Sequence, residues 1–239
     1  MGNGFRTLRD FCIIGALALA PIVIFIPIDL WLGKPFHVGP GDFALFDTLP
    51  GYIFHEIIRP ASIWFLLALS AVCTLWTFAK ASTDSGRRMA GRRFTYVILV
   101  FLIGPVLLTN VLFKDNWHRP RPRQTIEMDG KHPYQPPILI APAKGCGHNC
   151  SFVSGDAAAG FATIALAIAF ARGRRRKFWI ATTIGIGLIV GVFRMAAGAH
   201  YFSDVIYSGF LNVAVAAWFY PIWMRFRFRC KPRTRPTPF

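Results

Sequence analysis

Residues 94–113 read FTYVILVFLIGPVLLTNVLF, twenty positions without a charged side chain, with Arg92 and Arg93 before them and Lys114 after. About 20 apolar residues are what a helix needs to cross the hydrocarbon core of a bilayer. Five more charge-free runs lie outward from this one, at 11–28, 60–79, 157–171, 178–193 and 205–224. The 15-residue and 16-residue runs, at 157–171 and 178–193, reach spanning length once a terminal charge sits at the interface. The pattern predicts an all-α polytopic membrane protein with six transmembrane helices. The first run follows Arg6 and Arg9 as a signal peptide would. Its only cleavage-like triplet, Ala18-Leu19-Ala20, is internal to the run, so a retained helix is expected.

Composition agrees. Of 239 residues, 54% are hydrophobic and 16% charged, with mean hydropathy +0.44. Soluble domains carry about 25% charged residues, so this is not an ordinary one. A disordered basic tail is excluded by the apolar content. The net charge of +16 is an orientation signal rather than a mark of nucleic-acid binding. Eighteen of the 27 Lys and Arg fall on one side of the six runs, and the positive-inside rule places that side, with both termini, in the cytoplasm. The remaining nine are balanced by nine acidic residues on the outer side. One membrane domain is expected over 1–239.

Charges at the run ends point to a site. Lys114, Asp156, Arg194 and Asp204 all fall at the outer level, where ionisable groups usually pair or line a polar site. Three segments converge there: 114–122 (K-x6-R-P, ending Arg121-Pro122), 151–156 (SFVSGD) and 194–204 (R-x5-H-x3-D). Lys114, Arg121 and Arg194 supply three cations for a tetrahedral dianion. Ser154 and Gly155 precede a helix, whose free N–H groups favour an anion. His200 and Asp204 stand four apart and share a face if the sixth helix begins by His200. The carboxylate would then hold one ring nitrogen and leave the other to attack.

These segments resemble the tripartite signature of the type 2 phosphatidic acid phosphatase (PAP2) superfamily: K-x6-R-P, P-S-G-H and S-R-x5-H-x3-D. The resemblance implies phosphate binding by Lys114, Arg121 and Arg194, assisted by Ser154 and Gly155. It implies a phosphohistidine on His200 oriented by Asp204, with no metal or other cofactor. The partners it implies are a phosphorylated lipid substrate and membrane lipids. Three positions depart from the pattern: Val153 for Pro, Asp156 for His and Phe193 for Ser. Asp156 stands where the family has its general acid, and an Asp, with an ordinary pKa near 3.9, is a poor acid at neutral pH. That points to an easy leaving group, such as a glycosyl 1-phosphate or a lipid pyrophosphate. The chain thus resembles bacterial lipid A 1-phosphatases, enzymes of the inner membrane with a periplasmic active site. An alternate acid would come from His118 or His148, although each is read first as a solvated loop histidine. A phosphotransferase using the same intermediate and an anionic-lipid transporter are the rival functions.

Cys146 and Cys150 lie in the outer loop within CGHNC; a disulfide is expected, and a Cys-x-His-x-Cys metal cluster is the alternative. The segment 33–60 is rich in aromatic and aliphatic residues and would either lie in the interface or pack on the helices.

Overall fold

The computed structural model describes residues 2–25, 27–79, 85–114, 116–137, 139–140, 146–147 and 149–225. His148 and the tail beyond Arg225 lie outside these, and so do the expectations that concern them.

The described chain is predominantly helical. Helix α1 (Gly2–Phe25) leads to the short α2 (Ile28–Gly33). An antiparallel pair follows, β1 (His37–Gly39) with β2 (Asp42–Phe43). Next come α3 (Leu49–Tyr52), wide π-type turns over Ile53–Ile58, and α4 (Arg59–Ala79). Helix α5 (Ser85–Phe101) continues through a second π-type stretch, Leu102–Phe113. A long loop then leads to α6 (Gly155–Ala162), α7 (Ile164–Phe170), α8 (Arg175–Ala196) and α9 (Phe202–Arg225). The wide turns after α5 contain Pro105, which has no N–H and whose ring would crowd a regular helix. Asn110 Nδ2 donates to the Pro105 carbonyl at 2.8 Å, satisfying an acceptor on that stretch.

Among the described residues, four helical spans are long and apolar enough to cross a membrane: Leu49–Thr77, Gly86–Phe113, Arg175–Ala196 and Phe202–Arg225. The shortest has 22 residues, about 33 Å of helix. Gly155–Phe170 is a shorter apolar helix. On α4, Trp64 and Phe65 are 70% and 66% exposed, which suits a lipid-facing surface and not an aqueous one.

The core lies around α6 and α7. Their alanines and Ile164 and Ile168 pack against Tyr96, Val97 and Val100 of α5, and Val213 and Ala216 of α9. Small residues let backbones approach, as in other membrane bundles. A Cβ on Gly160 would lie 2.9 Å from the Gly187 Cα of α8, so the crossing has no room for one. The segment 33–60 is more folded than a loop. Phe43 is buried, and the Leu45 N–H donates to Ala196 O at 2.9 Å, pinning the segment to the end of α8. The helix expected from residue 60 is preceded by continuous helical turns from Leu49.

Candidate active site

A cleft of about 1000 Å³ opens at the end of the bundle where α6 and α9 start. Lys114, Arg121, Arg123, Asp156 and Arg194 border it. Each is held by the end of an element. Lys114 is the C-cap of the π-type stretch, and its Nζ would lie 3.2 Å from a Cβ on Gly155, so it leans over the first turn of α6. Arg121 directs Nη2 to Asn149 O at 2.8 Å. Arg194, in the last turn of α8, has its Nε 2.8 Å from Asp156 Oδ2. Burial, and then the neighbouring Arg123 and Arg194, pull the Arg121 guanidinium down to about 10. A site whose cations repel one another is one that an incoming anion relieves.

Ser154 caps α6, its Oγ accepting from the Ala157 N–H at 3.4 Å. Ser154 and Gly155 are both buried, and neither borders the cleft. His200 is buried as well, within electrostatic reach of Arg194 and Lys114. Its Nδ1 lies 2.7 Å from Ser151 O. A carbonyl only accepts, so Nδ1 carries the proton and Nε2 keeps its lone pair. Burial, helped by Arg194 and Lys114 and opposed by Asp204, pulls the imidazole down to about 4. At neutral pH the ring is uncharged.

One expectation needs correction. The sixth helix begins at Phe202, after His200, so the two residues are not on one helical face. Asp204 Oδ2 stands 3.8 Å from Nδ1, an ion-pair distance, and the Ser151 carbonyl is the closer partner at 2.7 Å. The physical reason is competition. Asp204 already accepts from Arg119 Nη1 at 2.5 Å, from Ser151 Oγ at 2.5 Å and from the Tyr201 N–H at 2.9 Å. Asp156, expected in the place of a general acid, is instead the ion-pair partner of Arg194 and in that state only accepts. His118 Nδ1 contacts Cys146 O at 2.9 Å, and His118 does not border the cleft. Cys146 and Cys150 form a disulfide with a Cα–Cα distance of 5.9 Å, leaving no thiolate pair for the metal alternative.

Sequence reasoning missed Asp29 and Arg119, both fully buried. A signal was present for each. Asp29 closes the first charge-free run just as Lys114 closes the third. Arg119 belongs to Arg119-Pro120-Arg121-Pro122; at about three residues per turn in a proline-rich stretch, positions two apart point in different directions.

Comparison with known proteins follows the same segments. Residues 95–228 match the model of the PAP2 superfamily. The chain belongs to that superfamily. It is therefore a phosphomonoester hydrolase, and its PAP2 region takes in every candidate site residue named above except Asp29. The chain is 31% identical to a lipid A 4'-phosphatase of Francisella tularensis subsp. novicida (strain U112) over 173 residues, 72% of this chain and 74% of that protein. It is 29% identical to a lipid A 4'-phosphatase of Rhizobium leguminosarum over 209 residues, 83% of this chain and 88% of that one. No solved structure matches.

Proposed function

We propose that this PAP2 enzyme removes a phosphate from the sugar headgroup of lipid A at the outer face of a bacterial inner membrane. The arrangement that carries the reading is His200, neutral and with Nδ1 tied to Ser151 O. His200 does not itself border the cleft but lies buried within electrostatic reach of Lys114 and Arg194, two of the cations that do. Lys114, Arg121 and Arg194 hold the phosphate oxygens, and Asp156 fixes the Arg194 guanidinium. Nε2 of His200 forms a bond to phosphorus as the ester P–O bond breaks, and the leaving oxygen takes a proton from water. A second water attacks phosphorus, the P–N bond breaks, and inorganic phosphate departs from a restored neutral His200.

The position attacked is read as the 4'-phosphate. Relatives matching most of this chain carry that name. The argument for a 1-phosphate, that Asp156 is a poor acid, is left unchanged by its ion pair with Arg194, so the 4'-position is supported by the relatives alone. The topology that accompanies this reading adds α1 and the α6–α7 pair to the four long spans, making six, with both termini cytoplasmic and one domain over 1–239. Cationic loops on one side and a charge-balanced outer end support it.

The test is mass spectrometry of a bis-phosphorylated lipid A disaccharide after incubation with the purified chain. Loss of one phosphate from the non-reducing sugar is the expected result. Loss from the reducing sugar restores the 1-phosphate reading, and loss from phosphatidic acid in preference to both overturns the glycolipid assignment.

A further inference from the structure

The outer end of the bundle contains three ionised side chains with no exposure: Asp29, Arg119 and Asp204. Burying charges at that depth is costly unless every donor and acceptor is matched. Here the guanidinium is matched completely. Arg119 Nε donates to Gln135 O at 2.8 Å. Nη1 donates to Ser203 Oγ at 3.0 Å and Asp204 Oδ1 at 2.5 Å. Nη2 donates to Asp29 Oδ2 at 2.7 Å and Tyr134 Oη at 3.5 Å. The plane lies 4.1 Å from the Tyr201 ring centre, a cation–π contact. Asp29 in turn holds the first turn of α9, accepting from the Ser203 N–H at 2.8 Å and from its Oγ at 2.6 Å.

Charge counting gives this cluster a purpose. Two carboxylates and one guanidinium leave one net negative charge. Asp29 neutralises Arg119, so the charge of Asp204 is not cancelled. From Asp204 the path to the nucleophile is short: Ser151 donates its Oγ to Asp204 Oδ2, and its carbonyl meets His200 Nδ1. The groups facing His200 from the other elements are cations, Lys114 at the end of the π-type stretch and Arg194 in α8. They oppose the positive charge that the ring acquires when Nε2 bonds to phosphorus. Something must favour it.

We propose that Asp29 and Arg119 are positioning residues for His200. They fix Asp204 and set the net charge of the buried cluster, so that the imidazolium character of the phosphorylated ring is compensated. Asp29 lies upstream of the region shared with the PAP2 family, so the segment before the family domain completes the site. The inference deepens the phosphatase reading, which it takes as its basis.

The test separates charge from fold. In the full-length chain, kcat/KM for the bis-phosphorylated disaccharide is followed against pH. His200 protonation is followed in parallel by NMR on histidine-labelled protein, with the resonance assigned by its loss in His200→Gln. Protonation of Nε2 removes the attacking lone pair, so wild-type kcat/KM falls as pH drops through about 4. Asp29→Asn leaves Arg119 and Asp204 to cancel. The His200 titration moves down by about half a pH unit or more, and kcat falls about tenfold. Arg119→Gln leaves two carboxylates, and the titration moves up. The double variant restores one net negative charge, so its titration returns close to wild type. Arg119→Lys, which keeps the charge, leaves the titration in place while kcat falls.

Opposite shifts in the two single variants support the proposal. Equal shifts, or none alongside a lower melting temperature, overturn it and leave a structural role. A wild-type chain that releases no phosphate from any lipid refutes the phosphatase reading, and the NMR titration still decides the charge coupling.

Discussion

The two ends of α6 are buried to the same degree by different means. Along its length Ala162 and then Ile164 and Ala165 of α7 are fully enclosed in the apolar cluster with side chains of α5 and α9. At its start Ser154, Ser151 and Asp204 are as deeply enclosed, but by hydrogen bonds and ion pairs. The apolar half is held by close fit, so a change in volume damages it. The polar half is held by matched donors and acceptors, so a change in chemistry damages it. The first half places the helix and the second holds the candidate site. Variants in the two halves should therefore fail differently: in the polar half activity goes before stability, and in the apolar half stability goes first.

The largest effect expected is that of His200→Ala. It removes the nitrogen proposed to attack phosphorus while leaving Lys114, Arg121 and Arg194 in place. Phosphate release should fall by at least about 10³-fold, the scale of losing a nucleophile. Substrate should still bind, which a vesicle co-sedimentation assay with bis-phosphorylated lipid would show. Residual turnover near wild type would mean that a different group attacks phosphorus.

Next is Arg194→Lys. Arg194 meets Asp156 through Nε and borders the cleft at the same time. A single ammonium cannot hold that carboxylate and present a planar fork to phosphate. A fall of about 10²-fold in kcat/KM is expected, with melting in detergent little changed. A fall in melting temperature with kcat/KM intact would make Arg194 a structural charge.

How much of this was legible in the sequence follows the same division. Charge-free runs revealed the helices, because lipid excludes charge wherever backbone crosses it. Lys114 and Arg194 of the cleft were legible because they end those runs, and Arg121 because it closes K-x6-R-P; Arg123 was not singled out. Asp29 and Arg119 were not recognised, since a buried charge in one place looks like an interfacial one in a string of letters. What distinguishes them is the partner, Asp29 with Arg119 across 90 positions. The Ser151 carbonyl as the partner of His200 was hidden for another reason: backbone oxygens are carried by every residue and leave no mark in a sequence. The segment 33–60 looked like a loop because its apolar residues follow no single period, yet Phe43 is buried against Gly198 in the link to α9.

In the apolar half, Gly160→Leu tests the fit. Even the first carbon of a side chain at Gly160 would meet the Gly187 backbone at 2.9 Å, and backbone cannot rotate away as a side chain can. A loss of about 1–3 kcal/mol is expected, read as a lower melting temperature in detergent. The protein that remains folded should keep its turnover per molecule. Loss of turnover without loss of melting temperature would mean that the α6–α8 crossing reaches the site directly.

The smallest effect comes from the rim of the cleft, where neither kind of enclosure applies. Cys146 and Cys150 close a short ring, and Asn149 inside it adopts a left-handed backbone with φ of 52°. That turn presents the Asn149 carbonyl to Arg121 at 2.8 Å. So short a ring restricts the unfolded chain little, and its contribution to stability is at most about 2 kcal/mol. Its effect on the site is to aim one acceptor at one phosphate-facing Arg. Opening it, by reductant or by replacing both cysteines with Ser, frees Arg121 from that hydrogen bond without removing its charge. KM for the lipid should rise by about two- to tenfold, the value of one hydrogen bond, while kcat stays nearly constant. If kcat falls instead, Arg121 stabilises the transition state only in the orientation that Asn149 imposes, and the rim then belongs with the buried polar half.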